Sequence, residues 1–447
     1  MKNKSTMQLI LPALIAKTLL IAFLPLHVAG SNEHDSSDEI ERGARSVGIP
    51  AQEQQRHGYV ANEVVVRLKR GVDRPVIDTI GSAHGVVIIE EIPQLNAYRL
   101  RVPHSVDAER AMRAYGQHPD VEYATPNYVG RGLDVFPTDP YFTRQWHLNN
   151  VSQSGGTIDA DIDAPEGWDI TRGLDSTIVA VLDTGILFEH PEFAGRLLPG
   201  WDCVNDDNDP TADHPHGVYV TGILAASADN AFGVAGVDHG AMILPVKVLD
   251  EANFGTTFDV AEGLVYAADQ GADVVNMSIG GWGSERILRD ALAYARDAGS
   301  VLIASAGNGG LGDADRTWPG ASPLTVSVGA TDHNDTRANF SGTGDALDVV
   351  AAGQLVITVN PAVSYYLSYF SGTSAAAPIV SGMASLLLSL NEGFTHDQID
   401  QLLKLGAEDQ VGPKDEDTPG RDDFYGFGRV NLAESLSLAA TVFPVRI

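Results

Sequence analysis

The chain has 447 residues, with 29 Lys plus Arg against 59 Asp plus Glu and a formal net charge of −30. Such a length leaves room for two or three domains and a large core, and such acidity repels nucleic acid and anionic membrane surfaces, so neither is an expected partner. With Cys203 as the single cysteine there is no intramolecular disulfide framework, and Cys203, in the partly apolar Trp201-Asp202-Cys203-Val204, reads as a small buried hydrophobe.

Residues 1–30 have the order of a signal peptide: Lys2 and Lys4, an apolar run through 19–24, then Val28-Ala29-Gly30 before a polar segment. The same pattern also fits an uncleaved anchor. Residues 31–58 are charged and aperiodic, a flexible linker. No later stretch approaches the roughly twenty continuous apolar residues of a membrane span. From 59 to 129 the pattern predicts strands at 64–68, 86–89, 97–102 and 121–124 and helices at 76–83 and 106–115. That β-α-β-β-α-β order is a small α+β, ferredoxin-like module, which by itself fits an accessory domain.

After the loop Pro137-Thr138-Asp139-Pro140, residues 130–447 read as one large domain. Apolar runs without alternation predict strands at 178–182, 243–248, 274–277, 301–304, 324–328 and 347–350, with helices at 258–270 and 286–297 among them. Strands of that kind between helices make a doubly wound, mostly parallel α/β sheet covered on both faces. Functional groups then belong at the carboxyl ends of the strands.

Four residues sit at such places. Asp183 follows the strand at 178–182 and precedes Thr184-Gly185; taken alone it is also an ordinary turn residue. His216 opens His216-Gly217-Val218-Tyr219, a polar start running into an apolar helix, with His214 as its rival. Ser374, in Gly372-Thr373-Ser374-Ala375, opens a long apolar helix whose amino end favours developing negative charge, although serine there is equally a helix cap. Asn308 lies among glycines in Ala306-Gly307-Asn308-Gly309, a frequent turn composition. The ordered set of Asp, His, Asn and Ser, each at a strand end or helix start, favours catalysis over four unrelated structural roles.

Val181-Leu182-Asp183-Thr184-Gly185, His216-Gly217, Ala306-Gly307-Asn308 and Gly372-Thr373-Ser374 resemble the motifs of the subtilisin-like serine proteases, over about residues 59–435. His190-Pro191, Ser278-Ile279-Gly280-Gly281 and Tyr425-Gly426-Phe427-Gly428-Arg429-Val430-Asn431 resemble further family motifs. The resemblance implies a secreted serine endopeptidase with Asp183, His216 and Ser374 as its triad and Asn308 in the oxyanion hole. It implies substrate strands flanked by Ser278, Ile279 and Gly280 and by Asn253, Phe254 and Gly255. It makes 59–129 an inhibitory propeptide whose tail, 121–128, lies in the cleft, with self-processing at 128–137. Structural calcium is implied at Asp139, Glu192 and Asn230 with carbonyls of the 227–234 loop, Glu192 standing where the family more often has Asp. Asn205-Asp206-Asp207-Asn208-Asp209 is a second calcium candidate. Thr317 is placed near the floor of the primary pocket, implying an apolar or broad preference. Expected partners are protein or peptide substrates and the chain's own propeptide, and the expected state is a monomer.

Val218, Tyr219, Ala375 and Ala352 depart from the family's Thr, His, Met and Pro. Tyr219, Ala375 and Ala352 motivate a rival reading, a catalytically silent relative that binds peptides or acts as a regulator. The acid-acting sedolisin group is a second rival, and it requires Glu in place of His216.

Overall fold

A computed structural model describes residues 59–72, 75–77, 86–103, 112, 115–128, 136–362 and 367–442. The expected leader and linker, most of both helices expected in the small module, and most of the expected processing segment lie outside these residues. The chain divides into two compact units, Met1–Gly130 and Arg131–Ile447.

In the first unit β1 (Tyr59–Leu68), β2 (Val87–Ile92), β3 (Ala97–Arg101) and β4 (Val121–Tyr128) pair antiparallel in the order β2-β3-β1-β4. Period-two alternation explains the core: Val64, Val66 and Leu68 of β1 are buried with Tyr98 and Leu100 of β3. Ile77 and Tyr115, from the two stretches expected as helices, join them. β4 runs four residues past its expected end at 124 and contains Pro126. An edge strand tolerates that proline because one side of its ladder is free. Glu63 accepts from Asn127 Nδ2 at 2.8 Å and from Arg101 at 3.2 Å, tying the end of β4 to β1 and β3.

The second unit is built on seven parallel strands: β5 (Ile178–Asp183), β6 (Trp201–Asp202), β7 (Met242–Lys247), β8 (Val274–Met277), β9 (Val301–Ser305), β10 (Val326–Thr331) and β11 (Val349–Ala352), in the order β11-β10-β9-β8-β5-β7-β6. Two short strands, β12 (Val356–Thr358) and β13 (Ser368–Phe370), form a separate hairpin. The sheet grows to one side of β5 and then to the other, which opens a crevice at the carboxyl ends of the central strands.

Burial on two faces explains the unbroken apolar runs. Val179 and Val181 of β5 pack with α1 (Ala164–Trp168), α2 (His216–Ala225) and α5 (Thr373–Leu390) in one cluster, whereas Ala180 and Leu182 pack with α3 (Thr257–Asp269) and α4 (Arg286–Asp297) in another. The same alternation turns Asp183 toward α2 and α5. A capping box of Thr256 and Asp259 starts α3, and Leu288, Ala291, Leu292 and Ala295 form the apolar stripe of α4. Although no continuous apolar run of a span's length was expected after the leader, α5 is by length and average composition apolar enough to cross a membrane; it lies buried inside the unit as its core helix.

Two strands begin two residues later than expected. Leu324 and Thr325 donate to Ser322, and Leu347 N–H donates to Gly344 O, so turns claim these residues before β10 and β11 start. An apolar run marks burial, and hydrogen bonding sets where the ladder begins.

Candidate active site

Asp183 ends β5 fully buried, and Gly185, at φ +91°, turns the chain sharply beyond it. His216 is the first residue of α2, and its Nδ1 lies 2.7 Å from Asp183 Oδ1. That oxygen also accepts Thr184 N–H at 2.7 Å. Thr184 Oγ1 donates to His214 O and accepts Gly217 N–H, both at 2.9 Å. A Cβ on Gly217 would overlap Gly185 O and crowd Asp183, which explains a glycine beside the imidazole. His214 is half-buried and accepts the His216 N–H on its ring. The carboxylate therefore pairs with His216 and not with its rival.

Burial disfavours the charged form of His216, but the charge and hydrogen bond of Asp183 outweigh it and lift the imidazole above its usual 6.5. The Phe370 ring meets His216 edge-on with centroids 5.3 Å apart, and the Tyr219 ring packs tilted against Phe370, also at 5.3 Å.

Ser374 is the second residue of α5, whose N-cap is Gly372, so its side chain does not cap the helix. Ser374 Oγ donates to Ser278 O at 2.9 Å, and among the described residues no hydrogen bond joins it to His216. Pro378 lies inside α5 without an N–H, which frees Ser374 O from its helical partner. Ser278 Oγ takes that place, donating to Ser374 O at 3.0 Å. Asn276 Nδ2 donates to Ser278 Oγ, and Ser381 Oγ donates to Asn276 Oδ1, fastening α5 to β8.

Asn308 follows β9. Its Oδ1 accepts from Thr373 N–H at 2.9 Å and Thr373 Oγ1 at 3.1 Å, leaving the Nδ2 hydrogens beside the cleft. His216, Ser374 and Asn308 line one cleft of about 520 Å³ together with all six residues expected to flank substrate: Ser278, Ile279, Gly280, Asn253, Phe254 and Gly255. Phe254 is 74% exposed, held out by a turn in which Asp250 Oδ1 accepts Ala252 and Phe254 N–H. Thr317 is not among the lining residues; its side chain fills the space between Gly280 and Gly307.

Several contributors carry no local signal. Leu249, Trp282 and Phe370 also line the cleft. Lys247, the register partner of Asp183, is buried between Asp202 at 3.1 Å and Asp213 at 2.8 Å, which anchors the segment three residues before His216.

The structure gathers the expected metal residues. Asp139 accepts Asp229 N–H at 2.8 Å and Asn230 N–H at 3.3 Å; Glu192 accepts Val234 N–H at 2.9 Å and Asn230 Nδ2 at 2.8 Å. Burial raises both carboxyls, that of Glu192 to about 7. A Cβ on Gly233 would overlap Glu192 Oε1, so a glycine cradle has formed around the longer acid. Residues 205–209 are exposed and gather no comparable set. The one trio of acidic groups within ligand distance among the described residues is Asp159, Asp161 and Asp163, whose alternate spacing is visible in the sequence. Asp161 spends its oxygens on the N–H groups of Asn150 and Asp163.

A doubly wound parallel sheet with a buried carboxylate–imidazole pair, a helix-opening serine and an amide on one cleft has the layout of an α/β serine hydrolase. Comparison narrows the class. A model described as the Subtilase family matches residues 175–428, and one described as the Fervidolysin N-terminal prodomain matches 46–127, starting inside the stretch read as linker. Thermitase of Thermoactinomyces vulgaris is 40% identical over 301 residues, 67% of this chain and 99% of thermitase. The halolysin-like extracellular serine protease Nep of Natrialba magadii is 32% identical over 336 residues, 73% of this chain and 57% of Nep. A solved structure titled as proteases from Pseudoalteromonas arctica PAMC 21717 is similar at a TM-score of 0.60 and 29% identity, covering 68% of this chain and all of that one. The chain belongs to the subtilase family: it is a subtilisin-like serine protease with a fervidolysin-type prodomain.

Proposed function

We propose that this protein is an exported, self-processing zymogen of a serine endopeptidase that works through Asp183, His216 and Ser374. The observation that carries the reading is the 2.7 Å bond between buried Asp183 and His216 at the edge of a cleft shared with Ser374 and Asn308. Ser374 Oγ leaves the Ser278 carbonyl, attacks the peptide carbonyl and passes its proton to His216 Nε2. Asp183 holds the Nδ1–H tautomer and supports the imidazolium, which then protonates the leaving amine. Apo hydrogen bonds of this kind tighten once substrate is bound. Asn308 Nδ2 and the Ser374 N–H hold the oxyanion. Residues 278–280 and 253–255 receive the substrate backbone, which gives little sequence selectivity.

A fluorophosphonate probe is expected to label Ser374 stoichiometrically in the mature protein and not after His216→Ala. An intact, folded protein that takes no label would instead be the silent peptide-binding relative. Tyr219→Phe is expected to keep most activity, because the ring packs on Phe370 and its hydroxyl makes no hydrogen bond among the described residues. A loss beyond about a hundredfold, roughly 2.7 kcal/mol, would assign that hydroxyl a chemical role.

Residues 59–129 act as the inhibitory, folding-assisting propeptide, released by cleavage within 128–137, and the pattern of residues 1–30 supports export. The mature enzyme works as a monomer on protein or peptide substrates.

Calcium fits at Asp139, Glu192 and Asn230, where two buried carboxylates, both raised in pKa chiefly by burial, converge on the Asn230 N–H and side-chain amide. Carbonyls of the 227–234 loop complete the oxygen set, and Asn230 must turn its amide to offer Oδ1. Bound there, the ion neutralises the carboxylates and ties the segment at 139 to the 227–234 loop. Free calcium at about a hundred times its dissociation constant is expected to add about 2.7 kcal/mol. Half-lives of thermal inactivation with calcium and with chelator check this; Asp139→Ala abolishes the difference, and equal half-lives for the unmutated enzyme remove calcium from the site.

A further inference from the structure

The turn that carries Asn308 closes around a single carboxylate. Gly309 N–H donates to Asp313 Oδ2 at 2.7 Å. A Cβ on Gly307 would overlap that same oxygen, and one on Gly309 would lie 2.7 Å from Asp313 Cγ. Both neighbours of Asn308 are therefore glycines because Asp313 occupies the space a side chain needs, and Gly307 adds a φ of +92°. Asp313 is itself held: its N–H donates to Gly310 O at 3.1 Å, and its carbonyl accepts Arg316 and Thr317 N–H, both at 3.0 Å. On the other side of the turn Gly342 N–H donates to Gly307 O at 2.9 Å, and Thr373 holds Asn308 Oδ1.

We propose that Asp313 is the positioning residue of the oxyanion amide: its carboxylate fixes the Gly307-Asn308-Gly309 turn and so the place of Asn308 Nδ2. This rests on the assignment of Asn308 to the oxyanion hole. The physical reason is preorganisation. A turn flanked by two glycines is backbone-flexible, and the amide stabilises the transition state only if it is already in place when the oxyanion forms. A charge-assisted bond from Gly309 N–H to a carboxylate is the strongest restraint the turn has on that side. Its loss falls on kcat, because the ground-state carbonyl needs Asn308 less than the oxyanion does.

The test is a double-mutant cycle on the mature enzyme with a soluble peptide substrate. Asp313→Ala is expected to lower kcat by roughly tenfold to a hundredfold, the scale of a misplaced catalytic group, with KM little changed. Asp313→Asn, which keeps an oxygen for Gly309 N–H, restores most of the loss. In the Asn308→Ala background Asp313→Ala costs less than about twofold, since there is no amide left to position. An equal loss in both backgrounds, or a rise in KM at constant kcat, overturns the proposal. Should Asp313→Ala not fold, Asp313→Gln, which displaces the acceptor by one methylene, carries the same cycle. Asn308→Ala alone separates the two levels: its expected cost is about 10² to 10³ in kcat, the magnitude known for this donor in a subtilisin. A value within about twofold of wild type removes Asn308 from the oxyanion hole, whereas the full cost with additive Asp313→Ala removes only Asp313.

Discussion

Ser374→Ala is expected to accumulate as an uncut precursor, with the bond between the small module and the large unit intact, and to lose about 10⁶-fold in turnover, the cost known for the nucleophile of a subtilisin. The lost atom makes one hydrogen bond, to Ser278 O, so the stability change is on the order of 1 kcal/mol and the variant folds. The reciprocal bond from Ser278 Oγ to Ser374 O uses the backbone and survives the substitution. Loss of processing therefore reports chemistry, not unfolding. Mass spectrometry of the purified variant, expressed without other proteases, checks the result. Finding its amino terminus within 128–137 would mean that another group cuts the chain.

Asp183→Asn is expected to lower kcat/KM by about 10⁴, because an amide lets His216 settle in the tautomer with its proton on the wrong nitrogen. Its pH dependence is the sharper readout. The neutral imidazole accepts the Ser374 proton, so activity rises as His216 deprotonates. Asp183 lifts the pKa of His216 above 6.5 against the opposing effect of burial, which places the acidic limb of the wild-type profile above that pH. Without the carboxylate only burial remains, and the limb moves to lower pH while the plateau drops. A pH-rate profile for each protein decides it. An unmoved limb, or a plateau within about tenfold of wild type, would show that Asp183 does not govern the imidazole.

Much of the fold was legible because its signals are local. Unalternating apolar runs marked the central strands, since both faces of a parallel sheet are buried, and the 286–297 helix was readable from its apolar stripe. Gly185 and Gly307 carried the turns beyond the strand that ends at Asp183 and just before Asn308, and Gly217 allowed the close approach beside His216, backbone requirements visible in residue identity. The resemblance to subtilisin-like proteases, through motifs of two to seven residues, supplied roles that no local pattern contains.

What only the tertiary structure decided lies between segments far apart in the chain. His216 rather than His214 faces Asp183 because α2 docks against the end of β5, 33 residues away in sequence. The hydroxyl of Ser374 rests on Ser278 O, and Ser374 O, freed by Pro378, accepts Ser278 Oγ, because the start of α5 docks against the residue that follows β8, 96 residues upstream. Asp313 looks like any solvated charge in sequence and Lys247 like an interruption of an apolar strand, and they become restraints only where a closed turn and sheet register bring them against the site. Spacing along the chain encodes which face a residue presents. It does not encode what that face meets, because the partner is chosen by packing the whole unit at once.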